Sequence, residues 1–106
     1  WLPFPPDADR VNVATQRDDP ASILHWYRRL LALRRATTAL QSAEFELLDL
    51  GDDAVAYARG DLVVVLNLGT QPLPLGRALV TTLSTGPEGT TVDSIGPSGA
   101  VIGRWA

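Results

Sequence analysis

Ala54-Val55-Ala56-Tyr57-Ala58-Arg59-Gly60-Asp61-Leu62-Val63-Val64-Val65-Leu66-Asn67-Leu68 is the stretch whose reading decides the fold. Two strand-like runs flank the pair Gly60-Asp61, the spacing and composition of a tight β-hairpin. Leu62 to Leu66 is apolar at every position, so the second run is predicted to be a central strand covered on both faces. Upstream, Glu44-Phe45-Glu46-Leu47-Leu48-Asp49-Leu50 alternates, which predicts a half-buried strand with Phe45 and Leu47 inward and the glutamates outward. Gly51-Asp52-Asp53 reads as the turn between them.

Downstream, Gly69-Thr70-Gln71-Pro72 turns the chain, and the prolines of Pro72-Leu73-Pro74-Leu75 restrict that segment to an edge strand. Further strands are expected over residues 78–83, around 90–95 and over 100–105, separated by Thr85-Gly86-Pro87-Glu88-Gly89 and Gly96-Pro97-Ser98-Gly99. Short strands at nearly regular spacing with Gly/Pro turns predict a mainly β fold, an antiparallel β-sandwich of about seven strands.

One amphipathic helix precedes it. Asp18-Asp19-Pro20 combines an acid able to accept orphan N–H groups with a proline suited to the first helical position, predicting a helix from about Pro20 to about Arg35. Ile23, Leu24, Trp26, Tyr27, Leu30, Leu31 and Leu33 spread over half of its circumference, wider than the stripe of about 100° that one packing partner requires. Two partners are therefore expected for this helix, one of them outside these residues. Trp1-Leu2-Pro3-Phe4-Pro5-Pro6, with three prolines, reads as an irregular apolar arm.

Composition narrows the function classes. A chain of 106 residues with 45% hydrophobic and 20% charged residues is large enough to bury about two-thirds of its surface in one core and falls outside the disordered and membrane-spanning classes. It contains no cysteine, which removes disulfides and thiolate metal sites and fits a cytoplasmic location. The chain begins at Trp1 and contains no methionine, so a longer precursor is expected. The net charge of −3 conceals a basic segment, Arg28, Arg29, Arg34 and Arg35, set against a more acidic remainder.

The chemistry-bearing residues are sparse. His25 is the only imidazole, sits on the polar side of the predicted helix, and has no nucleophile elbow to serve. One histidine with scattered acids gives no metal-ligand spacing. Gly86-Pro87-Glu88-Gly89 leads into a strand, whereas a phosphate-binding loop opens a helix. Four arginines in a domain of pI about 4.9 read as a solvated helix face, so no nucleic-acid partner is expected. Arg59-Gly60-Asp61 reads as hairpin chemistry more than as an adhesion tripeptide. Glu44 with Glu46, and Asp52 with Asp53, read as exposed polar positions, although paired carboxylates are what glycoside hydrolysis uses. No catalytic, cofactor-binding or metal-ligating residue is assigned.

The order of features nonetheless resembles a known family. Trp1-Leu2-Pro3, Asn12-Val13, Gln16, Asp19-Pro20-Ala21-Ser22-Ile23-Leu24 and Tyr27-Arg28-Arg29-Leu30-Leu31-Ala32-Leu33-Arg34-Arg35 resemble the C-terminal part of α-glucosidases of the α-amylase superfamily, in the oligo-1,6-glucosidase and trehalose synthase branch of glycoside hydrolase family 13. Ala39-Leu40, Phe45-Glu46-Leu47-Leu48, Ala56-Tyr57-Ala58-Arg59 and Leu62-Val63-Val64-Val65-Leu66-Asn67-Leu68 are similar to its C-terminal β-domain. Phe4-Pro5-Pro6 and Ser42-Ala43 depart from the family pattern.

The resemblance implies a parent enzyme in which an eightfold β/α barrel carries the catalytic aspartates and glutamate. Residues 1–36 would be its last barrel loop and final helix, and residues 40–106 its C-terminal β-sandwich. None of the family's catalytic motifs occurs here, so this chain alone is expected to be inactive, with the missing barrel as its partner. Self-association through the helix face Ile23, Tyr27 and Leu30 is expected when that barrel is absent. A free-standing β-sandwich that stacks Trp1, Trp26 or Trp105 on sugar rings is the alternative.

Overall fold

The computed structural model describes residues 2–41 and 44–106; Trp1, Ser42 and Ala43, and the readings that fall on them, lie outside the described residues. The chain forms two compact units, 1–36 and 37–106.

In the first unit, residues 2–5 have no regular structure, in keeping with their prolines. The Asp7 carbonyl accepts from the N–H groups of Arg10 and Val11, closing a turn. Helix α1, Val13–Asp18, follows and was not anticipated. Its signal is Asn12, whose Oδ1 accepts from the Thr15 N–H at 2.9 Å while Nδ2 donates to the carbonyls of Ala8 and Asp9. That is the side-chain chemistry of a helix N-cap.

Helix α2 runs Ile23–Ala36, about one turn later than Pro20. The Asp19 carboxylate is used locally, accepting from the Ala21 N–H at 2.9 Å, so Ser22 becomes the cap: its carbonyl accepts from Trp26 N–H. Gln16 joins the two helices, its Oε1 accepting from Leu24 N–H at 3.1 Å and its carbonyl accepting from the Ser22 hydroxyl at 2.7 Å. Arg34 and Arg35 occupy the last turn of α2, where positive charge meets the helix dipole favourably.

In the second unit, a short 3₁₀ turn, Thr38–Gln41, leads into six strands: β1 Glu46–Leu48, β2 Ala54–Arg59, β3 Leu62–Asn67, β4 Leu73–Ser84, β5 Thr91–Ile95 and β6 Ala100–Trp105. They form one antiparallel sheet in the order β1-β2-β3-β6-β4-β5. The unit is thus mainly β and antiparallel, with six strands among the described residues where about seven were expected, and these share one continuous sheet.

The difference lies in β4, which joins two segments read separately. Gly76, at φ +72°, is a bend that an L side chain rarely adopts, and the β4–β5 register shifts between Pro74 and Leu79 around it. The proline end is bordered by β5 alone, since β6 pairs only from Leu79 onward. The edge restriction that proline imposes is therefore respected inside a longer strand.

The hairpin forms as read, with Arg59 opposite Leu62 and Gly60 at φ +59°, the conformation required at the first central position of a II′ turn. β3 is central, between β2 and β6, and Leu62, Val63, Val64 and Val65 are all buried. The core gathers Ala56, Val63, Val65, Leu73, Leu75, Leu79, Ile95 and Val101, with Leu48, Leu50 and Trp105 against it.

β1 corrects an expectation. It is only three residues long, and its register places Leu48 opposite Ala56 and Leu47 opposite Tyr57. Leu48 therefore joins the core, while Phe45 and Leu47 lie on the other face and are exposed. The leucine pair breaks the two-residue period, and only one of two adjacent residues can face the core.

Candidate functional site

His25 Nε2 lies 2.9 Å from the Arg17 carbonyl, an α1–α2 tie within the first unit. Ser22, the hydroxyl nearest in sequence, is buried and donates to the Gln16 carbonyl, so its proton serves helix capping. The pair is architectural. Among the described residues no group of three or more His, Cys, Asp or Glu could hold a metal ion.

Glu44 and Glu46 border a cleft of about 500 Å³ together with Phe45, Ala58 and Gly60. Both are exposed, so the two carboxylates share one wet environment, whereas glycoside hydrolysis sets one acid in a drier setting than the other. Asp52 and Asp53 occupy the turn closed by Ala54 N–H donating to the Gly51 carbonyl. A second depression, of about 270 Å³, is lined by Thr81, Ser84, Thr85, Ser94 and their neighbours. Its hydroxyls are engaged within the protein. Thr81 Oγ1 contacts the carbonyls of Pro87 and Thr90, Ser84 Oγ accepts from Gly86 N–H, and Thr85 Oγ1 accepts from Ala100 N–H. Among the described residues no charged side chain lines it.

Asp61 is held by Arg104, whose Nε donates to Oδ2 at 2.6 Å. That hydrogen bond, with the guanidinium charge, holds the Asp61 carboxyl below its ordinary range. The carboxylate is thus partnered, and the tripeptide Arg59-Gly60-Asp61 is a hairpin corner. Trp26 and Trp105 are also partly covered: the Arg29 guanidinium lies 5.4 Å from the Trp26 ring centre and that of Arg77 lies 4.7 Å from Trp105. Trp105 in addition packs on the core. Rings so engaged are not free stacking platforms.

Sequence reasoning missed Asn67. Its side chain is buried, and Nδ2 reaches the carbonyls of Gln71, Ile95 and Gly96 at 2.8, 3.1 and 3.0 Å while Oδ1 accepts from Gly69 N–H at 2.9 Å. The available signal was a polar residue at the inward position that ends an apolar run. These bonds brace two loops.

Several large apolar side chains are also exposed. Ile23, Tyr27 and Leu31, on one side of α2, are exposed, as are Phe45, Leu47 and Val55 in the second unit. No helix is long and apolar enough to cross a membrane among the described residues.

No family model matches the chain. Among curated proteins, glucan 1,6-alpha-glucosidase of Streptococcus pneumoniae is 36% identical over 75 residues, covering 67% of this chain and 14% of that protein. Probable alpha-glucosidase of Rhizobium meliloti is 41% identical over 59 residues, 56% of this chain and 11% of that protein. Among solved structures, trehalulose synthase of Pseudomonas mesoacidophila matches all of this chain and 22% of its own, with TM-score 0.80 and 25% identity. The fold is shared with isomaltulose synthase of Klebsiella at TM-score 0.81 and 22% identity, again over 100% of this chain and 22% of that one. The chain spans about one-seventh of the curated glucan 1,6-alpha-glucosidase it matches. These relatives, in sequence and in fold, are enzymes of glycoside hydrolase family 13 in the α-amylase superfamily, and this chain is homologous to a part of them.

Proposed function

We propose that the chain is the non-catalytic C-terminal portion of an α-glucosidase-like enzyme, supplying scaffold and packing surface to a catalytic barrel encoded upstream. Residues 1–36 act as the last barrel loop and final helix, and residues 40–106 as the terminal β-domain. The observation that carries this reading is the match of the entire chain to 22% of a trehalulose synthase, beside the match of 67% of it to 14% of a glucan 1,6-alpha-glucosidase. The parent hydrolyses or transfers α-glucosyl units in the cytoplasm, and the acids that do so lie on the barrel.

The direct test is turnover. The 106-residue chain incubated with isomaltose, maltose and nitrophenyl α-glucoside is expected to give no product above buffer, while the full-length parent turns over at least one of them. Product from the chain alone overturns the reading. Self-association through Ile23, Tyr27 and Leu30 is the finer expectation for the isolated chain, and sedimentation showing a monomer at all concentrations rejects it.

A further inference from the structure

The depression of about 270 Å³ in the second unit is graded from an apolar floor to a polar rim. Deepest are the buried side chains of Thr81, Ile95 and Val101; farther out lie the half-buried Ser84 and the exposed Ser94. Thr81 Oγ1 is committed to the loop beside it, facing the carbonyls of Pro87 and Thr90 and accepting from Thr90 N–H. The two serines are engaged without being exhausted. Ser84 Oγ accepts from Gly86 N–H at 2.9 Å and keeps its proton to donate, while Ser94 Oγ sends its proton to Asp93 Oδ1 at 3.3 Å and keeps its lone pairs to accept. One donor and one acceptor thus border an apolar floor.

Gly86 and Gly96, which also line the depression, add a second observation. Each precedes a proline, a position held to extended backbone that any residue adopts, and neither has a positive φ. A Cβ at Gly96 would meet nothing within 4 Å, and one at Gly86 only Ser84 Oγ at 3.6 Å, ordinary van der Waals contact. Gly99 in the same wall differs: its Cβ would lie 2.7 Å from Ile95 Cγ2, so packing alone accounts for it. Neither conformation nor packing calls for glycine at 86 or 96, whereas close approach of a ligand to the backbone does.

We propose that this depression is a binding site for one neutral pyranose unit, free or at the end of an α-glucoside. A pyranose presents an apolar C–H face bordered by hydroxyls that both donate and accept. That complements a floor of Ile95 and Val101 beside the Ser84 proton and the Ser94 lone pairs. Volume sets the size: about 270 Å³ is just below the range of about 300–1,000 Å³ that takes drug-sized ligands, so one ring fits and further sugar units would extend into solvent. Charge sets the class. With no charged side chain lining the depression among the described residues, a phosphate, carboxylate or ammonium group would lose its water without gaining a counter-ion. The site lies wholly within residues 81–101, so it goes beyond the reading of the chain as a portion of a larger enzyme and does not depend on an upstream barrel.

The test titrates methyl α-glucoside, isomaltose and glycerol separately into the ¹⁵N-labelled 106-residue chain, following the amides of Ser84, Gly86, Ser94 and Gly96 by NMR. Both glucosides are expected to shift these amides saturably, with half-saturation at about 1–10 mM, the range open to a ring of about a dozen non-hydrogen atoms. Glycerol, which has hydroxyls and no ring, is expected to show no saturation up to about 100 mM. Absence of a saturable shift with either glucoside, or saturation by glycerol in the same range, overturns the proposal. The double variant Gly86→Leu, Gly96→Leu fills the depression and is expected to weaken binding about tenfold or more, with a urea midpoint within about 0.5 M of the wild type. Undiminished binding by the folded double variant overturns the site. Ser94→Ala, at an exposed side chain, is expected to weaken binding about threefold with the fold retained, and it decides the matter if the double variant unfolds: unchanged affinity in Ser94→Ala overturns the proposal as well.

Discussion

Replacing Asn67 by alanine removes a side chain that ties β3 to two loops at once. The Asn67 amide has two hydrogens for three carbonyls, those of Gln71, Ile95 and Gly96, so one hydrogen is shared, and Oδ1 takes a further N–H from Gly69. Three bonds' worth of net interaction at about 1 kcal/mol each gives a loss of about 3 kcal/mol. Set against a typical total of about 5–15 kcal/mol for a native domain, this is a large fraction. In urea unfolding at pH 7, with a slope of about 1.5 kcal/mol per molar, the midpoint falls by about 2 M. Asn67→Asp sharpens the test, because it keeps the shape and places a carboxylate among carbonyl oxygens. Burial and those acceptors raise the folded-state carboxyl pKa above its unfolded value. The Asp variant therefore regains stability as pH falls toward the unfolded value of about 3.9 and loses it as pH rises through the folded one. A midpoint for Asn67→Ala within about 0.5 M of the wild type, or an Asp variant most stable at neutral pH, would refute the reasoning.

Four further outcomes are expected. Gly103→Ala drives a Cβ against the Val80 carbonyl and the Leu79 side chain, and because a neighbouring strand must shift, the cost is about 2 kcal/mol in urea unfolding. Ser98 has φ 55° in the turn that Gly99 N–H closes on the Gly96 carbonyl, so Ser98→Gly raises the thermal midpoint by relieving left-handed strain of about 1 kcal/mol. The lowered Asp61 pKa, caused first by its hydrogen bond from Arg104, means that the pair stabilises above the unfolded carboxyl value and is lost as pH falls through the folded one; in Arg104→Gln the Asp61 titration midpoint, followed by NMR, moves up. Helix α2 has 14 residues and none is buried, a length at which an isolated helix is marginal, so its amides exchange at lower protection than those of β3 in the 106-residue chain, and equal protection would contradict this.

How much of the fold was legible depended on whether a local pattern left one solution. Gly60-Asp61 between two apolar runs did, because two turn residues fix strand direction and register together. Leu62 to Leu66 did as well, since an apolar residue at every position suits only a strand covered on both sides. Helix α2 was legible in its body and not at its start: Asp19 and Ser22 are both capping residues three positions apart, and the choice was made by Gln16, which receives Ser22 and Leu24 from α1. That contact is tertiary, and no window around Pro20 contains it. Strand β4 was divided in two because Gly76 and the prolines look like a boundary, whereas β5 pairs with the strand on both sides of the bend.

The site was less legible than the fold, for a physical reason visible at Phe45 and Leu47. In Glu44-Phe45-Glu46-Leu47 the alternation alone puts the aromatic and the leucine inside, because burial is the default assignment for apolar residues. The register decides otherwise: Leu48 faces Ala56 and takes the core position, which forces Leu47 to the opposite face beside Tyr57. A rule that sends apolar residues inward cannot separate a core from an exposed apolar face, since both are made of the same side chains. What separates them is the pairing partner, and the polar atom left over. Arg59 shows the second kind of information, a buried Nε with no acceptor among the described residues, on the same face as the exposed leucine. Nothing in the sequence around Arg59 tells whether its guanidinium is wet or covered; the burial of Nε is a tertiary fact.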